Sequence, residues 1–265
     1  YMVTLLVIKQ FRFSKLKMGL KKLNVNQPRI FKFYSTLKIM NYFGKINSFV
    51  QVGAHDGVMH DPLRKFILNN NWQGIFIEPQ RDMLEKCQKN YQNIDKLQFV
   101  NIAVHPNESL ITLYKVKNPK DYSHTGWASI NSDRFNNTIY KDSILEEQIS
   151  AKHLMKVIQE NNFTSVDLLQ IDTEGFDLEV IKMFDFNTLK PALIQYEHIH
   201  LSIDDKLETQ NIIISFGYYL IEKKNDTIAI RKDILTSWFI FVYVIFRIYD
   251  SVTSRIINLL NSNKK

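Results

Sequence analysis

Five short apolar runs, each followed by a stretch with helical patterning, constrain this chain more than any other feature. The runs are Phe49–Val52, Gly74–Ile77, Leu97–Ala103, Val166–Ile171 and Ala192–Tyr196; helices are expected near Asp61–Asn70, Arg81–Tyr91, Lys152–Glu160, Asp177–Phe184 and Asp204–Ser215. The runs are rich in β-branched and aromatic residues and do not alternate strictly with polar ones, which suits strands covered on both faces. Strand, helix, strand repeated in this way makes a mostly parallel sheet with crossover helices, a doubly wound α/β fold. The later segment "GYYLIEKKNDTIAIRK" reads as two strands about a Lys-Asn-Asp turn, a hairpin that closes the sheet with an antiparallel edge. A strand at "LITLYKV" and a polar stretch from Asn118 to Asn137 interrupt the third crossover.

On this reading residues 48–232 form the α/β domain, residues 1–47 a basic arm and residues 233–265 an apolar helical tail. Of the 34 Lys and Arg, ten lie in residues 1–55, which contain no Asp or Glu, so the remainder carries 24 basic against 27 acidic residues. The high isoelectric point thus belongs to the arm and is weak support for nucleic-acid binding by the body. Within the arm, Phe13, Leu16, Leu20 and Leu23 recur near helical spacing among lysines. The tail holds "WFIFVYVIF", Trp238 to Phe246, too short to span a bilayer, which needs about 20 apolar residues. It suits an interfacial helix, a dimer seam or a helix packed back on the sheet, and membrane-surface contact is expected through residues 1–23 and 235–260. The single cysteine, Cys87, rules out an intrachain disulfide and suits a reducing, cytoplasmic setting.

In open α/β sheets ligands bind beyond the carboxyl ends of the strands, where strand order reverses. Those ends read Gly53-Ala54-His55-Asp56-Gly57, then "FIEP" with Glu78 and Pro79, then Ala103-Val104-His105, then "LLQIDTEG" with Asp172 and Glu174, then "IQYEHIH" with Glu197, His198 and His200. A carboxylate at Glu78 can accept both hydroxyls of a ribose. A dinucleotide, however, calls for Gly-x-Gly-x-x-Gly, so that the backbone can approach a pyrophosphate. The loop here is Gly-x-x-x-Gly with Asp56 inside it, which favours a nucleoside that lacks phosphates and carries positive charge. S-adenosylmethionine has that chemistry.

"FVQVGAHDG", "GIFIEP", "NIAV", "VDLLQIDTEGFDLEVIK" and "LIQYEH" together resemble the successive motifs of the FkbM family of S-adenosylmethionine-dependent methyltransferases, from about Phe49 to His198. The resemblance implies a Rossmann-like class I methyltransferase sheet and O-methylation of a hydroxyl on a sugar, glycan or other small molecule. It implies that Gly53, Ala54 and Gly57 line the methionine and ribose, that Glu78 with Pro79 holds the ribose, that Asn101, Ala103 and Val104 flank the adenine, and that Asp172 closes the methyl-donor side. Gln51 departs from the pattern: many relatives carry an acid there, and Gln supplies a hydrogen bond without charge, leaving Asp56 or Asp172 to provide it.

A leaving hydroxyl proton needs a general base. Asp172, Glu174, Glu197 and His198 are the candidates, with His198 or Asp172 expected as base and Glu197 orienting. His124, Trp127, Ser129 and Glu174 are expected to touch the acceptor, the first three from a polar loop that could form a lid. Asp172, Glu197 and His198 could also hold a metal, but no paired ligand spacing requires one. Two other readings stay open: a membrane-associated binding module without turnover, and a nucleic-acid methyltransferase recruited by the arm. The latter lacks the Asn/Asp-Pro-Pro-Tyr pattern of amino-nitrogen methylation.

Overall fold

The computed structural model describes residues 32–247. Its strands are β1 (Ser48–Val52), β2 (Gln73–Ile77), β3 (Leu97–Val100), β4 (Ala103–Val104), β5 (Leu110–Val116), β6 (Ile144–Lys152), β7 (Leu168–Ile171), β8 (Leu193–Glu197), β9 (Tyr218–Glu222) and β10 (Asp226–Arg231). The helices are α1 (Phe33–Tyr42), α2 (Arg64–Asn69), α3 (Arg81–Asn90), α4 (Leu154–Glu160), α5 (Asp177–Met183), α6 (Ile203–Ser215) and α7, residues 237–247.

Seven strands form the main sheet in the order β3-β2-β1-β7-β8-β10-β9. The chain enters at the centre with β1, builds outward through β2 and β3, then returns to the other side of β1 with β7 and β8, all parallel. The reversal therefore falls between β1 and β7, which the register pairs as Phe49↔Leu168 through Val52↔Ile171. The C-terminal hairpin is present, but its antiparallel strand is not the edge. β10 inserts between β8 and β9, and β9 is outermost. β10 is the more buried of the pair, with Thr227 to Ile230 all buried, as its position covered on both sides requires.

Alternation along the strands separates two cores. Phe49 and Phe76 face one side with Leu37, Met40, Trp72, Leu84, Cys87, Phe239 and Tyr243. Val50, Val52, Leu169, Ile171 and Tyr196 face the other, against Leu154, Val157, Val180, Ile181 and Ile213 from α4, α5 and α6. Helix ends are fitted to their charges. α3 has Asp82 in its first turn and Lys89 in its last, and Ser202 caps α6 by accepting from Asp205 N at 3.1 Å.

Four sequence expectations need correction. The run Leu97–Ala103 is two strands: β3 joins the main sheet, whereas β4 pairs with β6 in a three-stranded sheet ordered β4-β6-β5. β6 was not foreseen, because "ILEEQISAK" is charged and half-exposed, as a strand with one solvent face is. The stretch 118–137 contains two short 3-10 turns, Tyr122–Gly126 and Ser132–Phe135, and Ser129 bridges back to Tyr114 of β5. Finally, α1 lies within the segment read as an arm yet buries Leu37, Ile39 and Met40 in the first core. α7 packs against it: Lys32 N donates to the Tyr243 hydroxyl at 2.8 Å, and the Lys38 ammonium sits 4.7 Å from the Phe246 ring. The helical pattern Phe13 to Leu23 lies outside the described residues. Among the described residues no helix is long and apolar enough to cross a membrane.

Candidate active site

A cleft of about 340 Å³ opens beyond the carboxyl ends of β1, β2, β7 and β8, at the reversal of strand order. The small β4-β6-β5 sheet and the loop after β5 wall its other side, contributing Ala103, Val104, Leu113, His124, Trp127 and Ser129. A second recess adjoins it, sharing Trp127, Glu174 and Glu197 and adding Arg134, His200 and Asn225.

The first wall is the glycine loop. Gly53 has φ +79°, and a Cβ there would lie 1.8 Å from the Asp172 carbonyl oxygen, so glycine permits the close approach of β1 and β7. Its N–H does not face a ligand: Gly53 N and Ala54 N both donate to the Ile77 carbonyl, at 2.9 and 3.2 Å. The loop is further tied by Glu78, whose carboxylate accepts from His55 N at 2.7 Å and Gln80 N at 2.9 Å. Burial pushes the Glu78 pKa up to about 7, against the pull of those two N–H groups. Each oxygen retains a lone pair toward the cleft that Glu78 lines, enough to accept a hydroxyl.

Gln51 (3% exposed) and Gln170 (7% exposed) also line the cleft, and each has a side-chain oxygen without a donor. They are direct neighbours in register, and Gln195 of β8, also with an orphaned oxygen, continues the row. Buried acceptors left unpaired cost on the order of 1–3 kcal/mol each, so a cleft floor of this kind asks for a ligand that donates. Beside this row stand Asp172, Glu174 and Glu197. Asp172 is accessible from the cleft, yet protein closes around it; this crowding, together with the charges of Glu174, Asp177, Asp226 and Glu78, pushes its pKa upward. Burial first, then Asp172 and Glu174, push Glu197 up to about 9. The floor is thus acidic and donor-poor, which suits a cation.

The acceptor side is built by long-range contacts. Glu174 has φ +55° and Gly175 φ +109°, a turn that points the Glu174 carboxylate at Arg134 and at His200 Nε2, 3.1 Å away, instead of capping α5. Ser129 Oγ donates to the Glu174 carbonyl at 3.0 Å, fastening the loop over the site. The Arg134 guanidinium lies 5.4 Å from the Trp127 ring, which also meets His124 at 4.4 Å and Tyr140 at 5.9 Å. His124 in turn shares a 2.8 Å hydrogen bond with the Tyr140 hydroxyl.

Of the residues expected from sequence, Gln51, Gly53, Ala54, Glu78, Pro79, Ala103, Val104, His124, Trp127, Ser129, Asp172, Glu174 and Glu197 all line the cleft. Four do not. Asp56 turns inward, accepting from Val58 N, Met59 N and the Tyr122 hydroxyl, so its carboxylate serves the loop and does not line the cleft. Gly57 packs on Tyr91 and Cys87 of the α3 region. Asn101 donates to the carbonyls of Glu78 and Pro79 at 2.9 Å and shapes the turn from behind. His198 points to the opposite face, its Nδ1 2.9 Å from Thr227 Oγ1. Strand alternation explains this: Gln195 and Glu197 share the cleft face, so Tyr196 and His198 must face away. The same parity would have found Gln170, two residues before Asp172, which the motif reading passed over. His200 follows the fifth strand end by three residues, and Arg134 carries no local signal. Glu174, Glu197 and His200 place one ligand atom each within 4.8 Å of one another, so the metal-capable grouping involves His200 and not His198.

Residues 51–220 match the methyltransferase FkbM domain family. Among solved structures, a methyltransferase FkbM from Methylobacillus flagellatus KT matches at 16% identity over 70% of this chain and 44% of its own, with a TM-score of 0.45. The matched part is thus less than half of that protein. A precorrin-6y C5,15-methyltransferase from Geobacter metallireducens GS-15 matches at 10% identity over 70% of this chain and 80% of its own, TM-score 0.38. A ribosomal protein L11 methylase from Lactobacillus delbrueckii subsp. bulgaricus matches at 8% over 74% of each, TM-score 0.38. No curated protein matches the sequence at a significant level. The family match spans well over half of the chain and coincides with the strands that build the cleft, and on that ground the protein belongs to the FkbM methyltransferase family and has its Rossmann-like class I sheet.

Proposed function

We propose that this protein is an S-adenosylmethionine-dependent O-methyltransferase acting on a hydroxyl of a sugar, glycan or other small molecule. The observation that carries the cofactor is the set of orphaned acceptors, Gln51 Oε1 and Gln170 Oε1, lining the same cleft as the acidic floor and Glu78. A ligand with an ammonium, a sulfonium and a ribose supplies the missing donors and the positive charge. When bound, S-adenosylmethionine supplies the electrophilic methyl group.

The chain's own residues then have separable tasks. Glu78 accepts the ribose hydroxyls. Gln51 and Gln170 accept from the amino-acid portion, making up for the absent acid at position 51. Asp172 lines the cleft, and Glu197 lines both the cleft and the outer recess. Their raised pKa values make either a stronger proton acceptor than an ordinary carboxylate once a cation favours ionisation. One takes the proton from the acceptor hydroxyl while the other orients it. Trp127, held between His124 and Arg134, offers an aromatic wall, and Asn131, Asp133 and Asn225 around the recess offer polar groups, a combination suited to a carbohydrate.

Calorimetry with S-adenosylmethionine tests the cofactor assignment; absence of measurable binding with Glu78 intact would sink the enzyme reading. Given binding, methyl transfer to a panel of sugars, measured beside RNA, tests the acceptor class. Transfer to RNA alone overturns the hydroxyl-on-sugar assignment, and binding without any transfer supports a module that has lost turnover.

A further inference from the structure

α7 turns Phe239 and Tyr243 into the core but leaves Trp238 (45% exposed), Val244 and Ile245 (47% exposed) outside. With Phe241, half-buried and 5.9 Å from Trp238, these form an outward stripe at positions i, i+3, i+6 and i+7. Cations gather around the last described turn of that helix. The Lys32 and Arg247 charges both reach Lys223 in the β9–β10 turn, where with burial they hold its pKa down, and Arg247 donates to Ser35 Oγ at 3.2 Å. Lys38 stacks on Phe246 close by.

The chain leaves the described body at the same place, through Lys32 and Arg247. Residues 1–31 carry seven Lys or Arg and no acid, and residues 248–265 carry three against one Asp, whereas residues 32–247 carry 24 basic and 26 acidic. Net positive charge is therefore carried by the two segments that join the described body at this end. That end is also the cleft end: β9 runs parallel to β8, so Lys223 follows a carboxyl strand end, and Asn225, two residues on, lines the outer recess.

We propose that the outer face of α7, with the basic cluster of Lys32, Lys223 and Arg247 beside its last described turn, docks on an anionic lipid surface. An apolar stripe beside cations fits the headgroup boundary, where Trp sits at the interface and each nearby Lys or Arg adds attraction to anionic headgroups. A nucleic acid could stack a base on Trp238 and engage the cations, but would gain nothing from Val244 and Ile245. Docking in this way leaves the cleft mouth beside the membrane.

Flotation of the full chain with vesicles of phosphatidylcholine alone, or with about a third phosphatidylserine, tests this. The anionic vesicles are expected to bind at least roughly tenfold better and to release the protein in about 0.5 M salt. The double substitution Trp238→Ser/Ile245→Ser and the single Arg247→Glu are each expected to weaken binding by roughly tenfold, with S-adenosylmethionine binding unchanged as the check on folding. No vesicle binding, binding that neither variant weakens while both still bind S-adenosylmethionine, capture by RNA in place of vesicles, or a dimer that the double substitution dissolves would each overturn the proposal. If the variants lose S-adenosylmethionine binding too, brominated lipid decides on the native chain: quenching of tryptophan fluorescence supports docking, and its absence refutes it.

Discussion

The two halves of the site are made by different means. The inner half rests on adjacent parallel strands, and its groups follow one another within a few residues: Gly53 and Ala54 after β1, Glu78 after β2, Asp172 after β7. The outer half is assembled across long sequence separations, with Arg134 meeting Glu174 forty positions on and Ser129 meeting it after 45. Backbone geometry fixes the inner half, and side-chain pairing fixes the outer. Damage should therefore be all-or-none on one side and graded on the other.

The largest effect is expected at the junction. Asp172→Asn should lower turnover by roughly 10²–10⁴-fold while changing cofactor affinity far less, read as kcat against Kd. An unchanged rate would remove Asp172 from the mechanism. Gly53→Ala should destabilise the fold by roughly 3 kcal/mol and abolish cofactor binding, because its Cβ meets the Asp172 carbonyl at a left-handed φ. Gly44→Ala is its control: φ is +63° there, but nothing lies within 4 Å, so a thermal melt should report only about 1 kcal/mol.

Titration separates the halves next. In the folded chain Glu78 ionises near 7 and Glu197 near 9, both above the ordinary carboxylate value of 4.5. Between pH 4.5 and those values the folded state holds protons that the unfolded state has released, so stability falls as pH rises through the window. Melting temperature should decline from pH 5 to pH 9. Glu78→Gln should lessen the decline only below pH 7, on the order of 2 kcal/mol, whereas Glu197→Gln should lessen it across the whole range up to pH 9. A cationic ligand favours the ionised carboxylates, so its affinity should rise over the same range; a flat profile would count against the acidic floor as its seat.

Smaller effects belong to the outer half. Arg134→Ala should raise the acceptor KM by about tenfold with cofactor affinity unchanged, since it frees Glu174 and loosens Trp127 without touching β1 or β2. His198→Asn, on the far face, should leave kcat within about twofold. A large loss there would mean that the Thr227 contact transmits to Glu197.

The inner half was readable from sequence because its information is local. Apolar runs locate strands, and the residues that follow each run fall at one end of the sheet by topology alone. Reading failed where parity was ignored, as with His198 and Gln170. It failed again where loop residues serve the loop, as Asp56 does through Val58, Met59 and Tyr122. It failed also where a partner lies far away: nothing near Arg134 announces Glu174, and nothing in "ILEEQISAK" announces a strand whose partner, β5, comes from 28 or more residues earlier. α1 escaped notice because its basic neighbours suggested an arm, while its apolar face joins a core that includes Phe239 and Tyr243 of α7, about two hundred residues later.

That last pairing bears on how the protein can be handled. The family match starts at Gln51 and ends at Leu220, which makes those residues a tempting guide for trimming a recombinant version. Such a cut would remove Leu37, Met40, Phe239 and Tyr243 from the sheet face that holds Phe49 and Phe76, and would delete β10 from between β8 and the edge. The product would expose a greasy wall and an open strand, both prone to aggregation. A workable minimal version begins before Lys32 and runs past Arg247, so the helices that look like appendages are the lid on the core.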